Sequence, residues 1–342
     1  MEFLLSSELR EYRETLARFF ANEAPLKSSP APKKQETSWN ESEINIWNKF
    51  SELGAFAASV PVSETGTGLT GSGLGLGLLS ASLALEESGK VLFPLPLFEN
   101  LALALPVLLS LPNNHQILEE FAAGDLRISA PIIIDNETYY SNIELCNALL
   151  LNDNSLKKDL STLEFSHFET FDLIRPLCKL SSKSSPPPEK TVNHTIHHQQ
   201  AVLISSELIG VGRAVLDLTL DYVKTRKQFD RPIGGFQAIQ HKLADIYTEL
   251  EAAASLVRYA AWAADNSALE TDKDRFKDAA LAAKGYSSEV IPRLCEVALQ
   301  LHGGIGFTFE YPLHLFLRRA QFLSAIGGSA TECFKNLGET SL

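Results

Sequence analysis

Residues 299–312, LQLHGGIGFTFEYP, place glycines at 303, 304 and 306 directly behind a helix-like run. Glycine there has two uses. It ends a helix by taking a left-handed backbone, and it lets backbone N–H groups come close to a phosphate. A second glycine pattern, GTGLTG at 66–71, matches G-x-G-x-x-G, and Glu86 and Glu87 follow at a dinucleotide-like distance. That fingerprint needs a strand before it and a parallel strand after it. Residues 91–112 read instead as a proline-broken loop and a short helix, so the pattern is read as a loop. His194, His197 and His198 lie together in NHTIHHQQ. A zinc site needs three or four convergent ligands, and no cysteine or acid cluster accompanies them, so they read as surface residues. Neither a G-x-S-x-G elbow nor a cysteine-nucleophile signature is present. A third stretch, TRKQFDRPIGGFQAIQHKLAD at 225–245, puts Arg226 and Phe229 three residues apart on one helix end. Gln237 and Gln240 then open the next helix beyond a Pro-Ile-Gly-Gly turn.

These residues need elements to hold them. From about residue 195 the chain reads as long helices. In 236–263, apolar residues fall at Phe236, Ile239, Leu243, Ile246, Leu250, Ala253, Val257 and Ala260, steps of three and four that give a helix one buried stripe. Residues 200–224 and 274–301 read the same way. Upstream, 126–180 carries short apolar runs at 128–134, 149–151 and 174–180, separated by Asx- and Ser-rich turns, which reads as a small β domain. SSKSSPPPEK at 181–190 is a linker-like loop. Residues 1–125 mix helical periods with polar connectors. Leu4, Leu5, Leu9 and Tyr12 start one helix. A breaker-rich loop follows at 28–40, then a helix near 41–55 capped by Asn40 or Ser42 with Glu43 behind, and another over 77–90 ending at Gly89. The expected division is an N-terminal helical domain over 1–125, a reduced β domain with its linker over 126–194, and a C-terminal helical bundle over 195–342.

The totals exclude several classes. A chain of 342 residues buries a real core. Its net charge of −12, with no basic stripe, argues against nucleic acid or an anionic membrane as partner. Cys146, Cys178, Cys295 and Cys333 are scattered without metal or redox spacing, which points to a reducing, cytoplasmic setting. The acidic, amphipathic start is no signal peptide, and no apolar run is suited to span a bilayer.

Two segments together say more. TRKQF at 225–229 with RPIGGFQAIQHKLADIYTELEAA, followed some sixty residues later by ALQLHGGIGFTFEYPLHLFLRRA, closely resembles the acyl-CoA dehydrogenase family. The N-terminal half resembles it more loosely, through ELGAFAASVPVSETGTGLT and LALEESGKVLFPLPLFEN. The resemblance implies a mainly α fold: an N-terminal helical domain, a middle β domain and a C-terminal four-helix bundle that binds FAD. Arg226, Phe229 and Gln237 match positions that grip FAD across a subunit interface. Gln300 and Gly304 match positions at its adenine-ribose and pyrophosphate end, and Ser329 is grouped with these cofactor residues. An arginine fork suits a pyrophosphate, and glycine lets backbone N–H groups donate at close range.

The family's reaction removes a proton α to a thioester while a hydride leaves the β-carbon, and it needs a shielded base. The usual glutamate lies in a Tyr-Glu-Gly-Thr segment. Its counterpart here is IGGS at 326–329, which puts Gly327 at the base position. The alternative family position, on the helix before the Arg-x-x-Phe motif, is Gln200, an amide that accepts no proton. The Trp-x-Thr type segment that lies against the flavin ring has no match around 126–160. What the chain would donate to a neighbour's flavin is present, and what it would use for its own ring and substrate is weak or absent. The expectation is therefore a subunit of a hetero-oligomeric acyl-CoA dehydrogenase, acting on an acyl thioester, that completes FAD sites on a homologous catalytic chain. An active homo-oligomer with a base relocated to Glu207, and a flavin-free scaffold on the same fold, stand as rivals. Glu310 is a second acid, in a context that matches a structural part of the motif.

Overall fold

The computed structural model describes residues 5–26, 39–62, 73–181, 194–266 and 274–340. The GTGLTG motif, nearly all of the loop at 28–40 and nearly all of the Pro-rich linker lie outside the described residues.

The elements run in the order helices, strands, helices. Helix α1 (Ser7–Glu23) starts where the Ser6 hydroxyl accepts the Leu9 N–H. In α2 (Glu41–Glu52), Asn40 and Glu43 each bond the other's backbone N–H, the reciprocal cap expected from their spacing. Phe20 and Phe50, from these two helices, pack with Phe56 and Phe121 at ring-centroid distances between 5.2 and 5.8 Å. Helix α3 (Gly77–Gly89) is buried along nearly its whole length. The chain then forms a wide, π-type helical turn over Glu99–Ala104 that runs into α4 (Leu105–Ser110), followed by α5 (His115–Ala122).

Seven short strands make two small sheets. They are β1 (Ile128–Ser129), β2 (Ile132–Ile134), β3 (Glu137–Ser141), β4 (Ala148–Leu150), β5 (Leu156–Lys157), β6 (Phe165–Phe168) and β7 (Leu177–Leu180). One sheet has the order β1-β4-β5 and the other β2-β3-β7-β6. The apolar run at 128–134 becomes two strands because Pro131, which has no N–H to donate, separates them. Asp135 and Asn136 take positive φ angles of 51° and 62°, the turn geometry that matches strand twist in a two-residue hairpin.

The C-terminal helices are long: α6 (His194–Thr225), α7 (Gln237–Asn266) and α8 (Asp274–His302), then α9 (Leu313–Ala325) and α10 (Ala330–Thr340). Between α6 and α7 a tight hairpin joins β8 (Lys227–Gln228) to β9 (Arg231–Pro232). In α7 the stripe from Leu243 to Ala260 is buried, as its spacing requires, while Phe236 and Ile239 are half-buried. Asp265, at the far end of α7, accepts the N–H groups of Leu78 at 2.6 Å and Leu79 at 3.0 Å and so caps α3 from a distant part of the chain. None of the helices among the described residues is long and apolar enough to cross a membrane.

Helices α3 and α6 touch backbone to backbone. Ser82, Glu86 and Gly89 face Ser206, Gly210 and Arg213, each set spaced by four and then three residues. The two serine hydroxyls share a 2.7 Å hydrogen bond. Arg213 reaches Glu86 at 2.7 Å, and Arg13 from α1 pairs with both Glu86 and Glu87. A Cβ on Gly210 would lie 2.0 Å from the Glu86 carbonyl oxygen, and one on Gly89 would lie 2.5 Å from that of Glu207. The obstacle is backbone in both cases, so a small shift cannot relieve it. Gly210→Ala is expected to destabilise the fold by about 3 kcal/mol, the upper part of the overpacking range, read as a lower midpoint in denaturant unfolding.

Candidate dinucleotide-binding end of the bundle

Helices α6 and α8 finish at the end of the bundle where α7 begins. The contact is direct: the Tyr222 hydroxyl, in the last turn of α6, donates to the carbonyl of His302, the last residue of α8, at 3.2 Å. Four residues beyond Tyr222, the Arg226 N–H bonds the Tyr222 carbonyl, and the Ile233 N–H returns to the Arg226 carbonyl, both at 2.8 Å. These bonds fix the hairpin on the helix end. Its turn puts Phe229 and Asp230 at φ 52° and 61° and leaves Phe229 85% exposed, edge-on to Phe236. Arg226, Gln237 and Gln300 are exposed too, with no side-chain hydrogen bond or ion pair among the described residues. The structure thus brings Arg226, Phe229, Gln237, Gln300 and Gly304 to one end.

The glycines divide by task. Gly303 has φ 63° and ends α8. A Cβ on Gly303 or Gly304 would meet nothing within 4 Å, so these two face open space. Gly306 is close-packed, with a Cβ position 3.1 Å from the His302 and Leu299 side chains. Around this opening stand Phe307 and Phe309, 70% and 65% exposed. Within 221–245, Lys224, Arg226, Lys227, Arg231 and Lys242 outnumber Asp221, Asp230 and Asp245, a local positive excess on a chain of net charge −12. An exposed guanidinium fork, two free primary amides and an open pair of glycines are a donor set that fits a dinucleotide pyrophosphate and its flanking groups.

Ser329 is not part of this end. Its hydroxyl accepts the Glu332 N–H at 3.3 Å while Glu332 bonds the Ser329 N–H at 2.9 Å, which caps α10. The neighbouring Gly327 lies beside Lys284, and α8 climbs about 27 Å from there to His302.

The two base positions are occupied by structure. Gly327 has φ 69°, and a Cβ there would lie 2.5 Å from Ile204 Cδ1 and 3.6 Å from Lys284 Cε. Gln200, one turn before Ile204 on α6, donates its amide to the Leu103 carbonyl in the wide helical turn at 2.8 Å. A carboxylate at 200 has no hydrogen to give that carbonyl.

Glu207 sits in a buried ion cluster that sequence reading missed. Both its oxygens meet Arg175 Nη2, at 3.1 and 3.2 Å, and Arg319 also pairs with it. Arg319 pairs in addition with Asp172, whose carboxyl is held below its ordinary range by the Arg319 and Arg175 guanidinium groups against the opposing effect of burial. Arg175 lies 3.4 Å from Glu99 and 4.0 Å over the Phe98 ring. Ser141 and Asn142 donate to the same Glu99 oxygen. All five charged residues are at most 2% exposed. Glu207 is thus the centre of a structural network, with its oxygens turned to two cations. Glu310 is exposed. His194 and His197 are exposed as well, and among the described residues no group of three or more His, Cys, Asp or Glu could hold a metal ion.

Comparison with known proteins agrees with this architecture. Residues 191–336 match the acyl-CoA dehydrogenase C-terminal domain. The acyl-CoA dehydrogenase IpdE2 of Mycobacterium tuberculosis is 30% identical over 332 residues, which cover 96% of each chain. The solved structure described as the Tcur3481-Tcur3483 steroid ACAD G363A variant superposes with TM-score 0.75 and 25% identity over 97% of both chains. The ChsE4-ChsE5 complex from Mycobacterium tuberculosis shares the fold, with TM-score 0.76 at 18% identity over 100% of this chain and 99% of that one. The chain belongs to the acyl-CoA dehydrogenase family.

Two expectations follow from the surroundings of Lys284 and Gly327. Lys284 is fully buried, donates to Ser288 and to the Leu323 and Ser324 carbonyls, and has its pKa lowered by desolvation from 10.5 to about 8. Between those values the unfolded chain holds the proton and the folded chain does not, so the contribution of Lys284 to stability rises with pH above about 8. Burial also raises the Cys146, Cys178, Cys295 and Cys333 thiols above their ordinary 9.0, so their ionisation in the unfolded chain opposes the Lys284 contribution from about pH 9, as that of the Tyr12 and Tyr140 phenols does from about pH 10. The stability of wild type relative to Lys284→Met is expected to rise by about 2 kcal/mol between about pH 8 and pH 10, in denaturant titrations of both proteins at stepped pH. Gly327→Glu is expected to lower the thermal midpoint and to give no acyl-CoA oxidation, since its side chain enters at a left-handed backbone against Ile204.

Proposed function

We propose that this chain is a subunit of a hetero-oligomeric acyl-CoA dehydrogenase, one that lends its bundle end to an FAD site on a homologous catalytic chain and supplies no base of its own. The observation that carries this reading is a contrast within one molecule. Arg226, Phe229, Gln237 and Gln300 are exposed and Gly303 and Gly304 face open space, while of the three base candidates Gly327 has no side chain, Gln200 is a half-buried amide bonded to Leu103, and Glu207 is buried between two arginines. Within the chain the 85% exposed Phe229, on a left-handed turn, has one aromatic contact, edge-on to Phe236. Against a second subunit it buries its ring, and the aromatic pair Phe307 and Phe309 widens the same apolar face.

The reaction class is α,β-dehydrogenation of an acyl thioester. When bound, FAD supplies the two-electron acceptor. The proton at the α-carbon must go to a carboxylate or equivalent base, and neither base position of this chain carries one. This chain's residues therefore bind and orient: Arg226 faces phosphate charge, Gln237 and Gln300 offer amide hydrogens, and the open glycines allow close backbone approach. An active enzyme using Glu207 would have to break its pairs with Arg175 and Arg319. A flavin-free scaffold would have no use for the unpaired donor set.

The test is absorption spectroscopy of the chain purified alone and co-expressed with a homologous dehydrogenase subunit. The pair is expected to carry flavin that bleaches with an acyl-CoA substrate, and the chain alone is not. In the pair, Arg226→Leu is expected to weaken flavin retention roughly tenfold or more, the loss of one charge-assisted hydrogen bond. Flavin that bleaches in the isolated chain would overturn the reading.

A further inference from the structure

We propose that His302 is a positioning residue that holds the two halves of the dinucleotide end in register. The inference builds on the reading above by naming what sets the geometry of that end. One half is the α6 terminus with Arg226 and Phe229. The other is the α8 terminus with Gln300 and Gly304. The only side chain bonded or stacked to both termini and to the loop beyond them, among the described residues, is His302.

Its geometry is complete on every side. The imidazole stacks on Tyr222 with ring centroids 4.3 Å apart and planes at 21°. Its Nδ1 lies 2.7 Å from the Ala298 carbonyl, which only accepts, so Nδ1 carries the hydrogen. With the ring neutral, Nε2 is then an acceptor, and the Tyr311 hydroxyl stands 3.2 Å away to donate. Burial of the imidazole lowers its pKa and favours that neutral form. The Tyr222 hydroxyl meanwhile donates to the His302 carbonyl. One ring therefore joins three segments: the last turn of α6, the last turn of α8, and Tyr311 in the loop that leads into α9.

The dinucleotide residues hang directly from these contacts. Arg226 is bonded by its backbone to Tyr222, and Gln300 and Gly304 lie two residues either side of His302. A Cβ on Gly303 would meet nothing within 4 Å, while the close-packed Gly306 lies against the His302 and Leu299 side chains, so the path of the loop leans on His302. Leucine or phenylalanine at 302 would fill the space and lose both ring-nitrogen bonds.

Two variants and two readouts test this. His302→Phe keeps an aromatic ring and removes both polar contacts. His302→Asn keeps a donor near the Nδ1 position. Amide hydrogen exchange in the isolated chain tests the clamp without flavin. His302→Phe is expected to speed exchange about tenfold in 303–308 and 226–233, leave the core of α7 unchanged, and be partly rescued by His302→Asn. In the co-expressed pair the same variant is expected to raise the FAD dissociation constant about tenfold, with His302→Asn between it and wild type. Unchanged exchange in both segments overturns the proposal, as does a uniform increase across the chain in both variants, which would mark a merely structural role. Faster exchange with unaltered FAD affinity overturns it as well. A wild-type pair that takes up no FAD would instead overturn the subunit reading, and the exchange result would still decide whether His302 clamps the two segments.

Discussion

The buried ion cluster around Arg175 and Arg319 is the constraint on which the interior depends. It gathers Glu99 from the wide helical turn, Asp172 and Arg175 from the segment before β7, Glu207 from α6 and Arg319 from α9. Desolvating five charges is costly, and their mutual attraction offsets that cost only while every partner stays in place. Removing any one strands another, at a penalty of about 3–5 kcal/mol. The cluster therefore locks the strands to the helical bundle. It also fixes the stretch of α6 that presents Gln200 and Ile204, whose side chain lies against Gly327.

The other end of the molecule obeys a different rule. At the α6–α8 terminus, Arg226, Gln237 and Gln300 are exposed and make no side-chain hydrogen bond or ion pair among the described residues. The interior spends arginines on structure, and the bundle end leaves an arginine free. A subunit that completes a neighbour's cofactor site needs this combination: a rigid body, and a donor set placed where another chain can reach it.

Much of this was legible in the residues. The stripe from Leu243 to Ala260 gave α7, and Asn40 with Glu43 gave the start of α2, because both signals are local. The bundle-end set was legible as a resemblance carried by two segments, and the structure brings those segments together. Strand β3, ETYYS, was missed because it lies where polar turn residues dominate and only its last two residues, Tyr140 and Ser141, are buried. Its neighbours β5 and β6 are short or mostly exposed. The ion cluster was out of reach for a simpler reason. Arg319 and Asp172 are 147 residues apart, and Arg319 and Glu207 are 112 apart. No spacing rule joins residues at such separations. Glu207 looked like a spare acid because its partners were invisible, and Ser329, grouped with the cofactor residues, is spent on the α10 cap in this structure.

The glycine at 327 also has a bearing on the history open to this chain. A left-handed residue tolerates a side chain poorly, and Ile204 already occupies the volume that side chain would need. The adjacent Lys284 ammonium is bonded to the carbonyls that end α9, so the loop is anchored in its present path. The left-handed backbone is the main obstacle to a carboxylate here, since Ile204 Cδ1 is the tip of a side chain and Lys284 Cε stands at ordinary contact distance, 3.6 Å. Glycine is thus the residue that the path of this loop favours, and any side chain placed there carries a backbone cost from the first substitution.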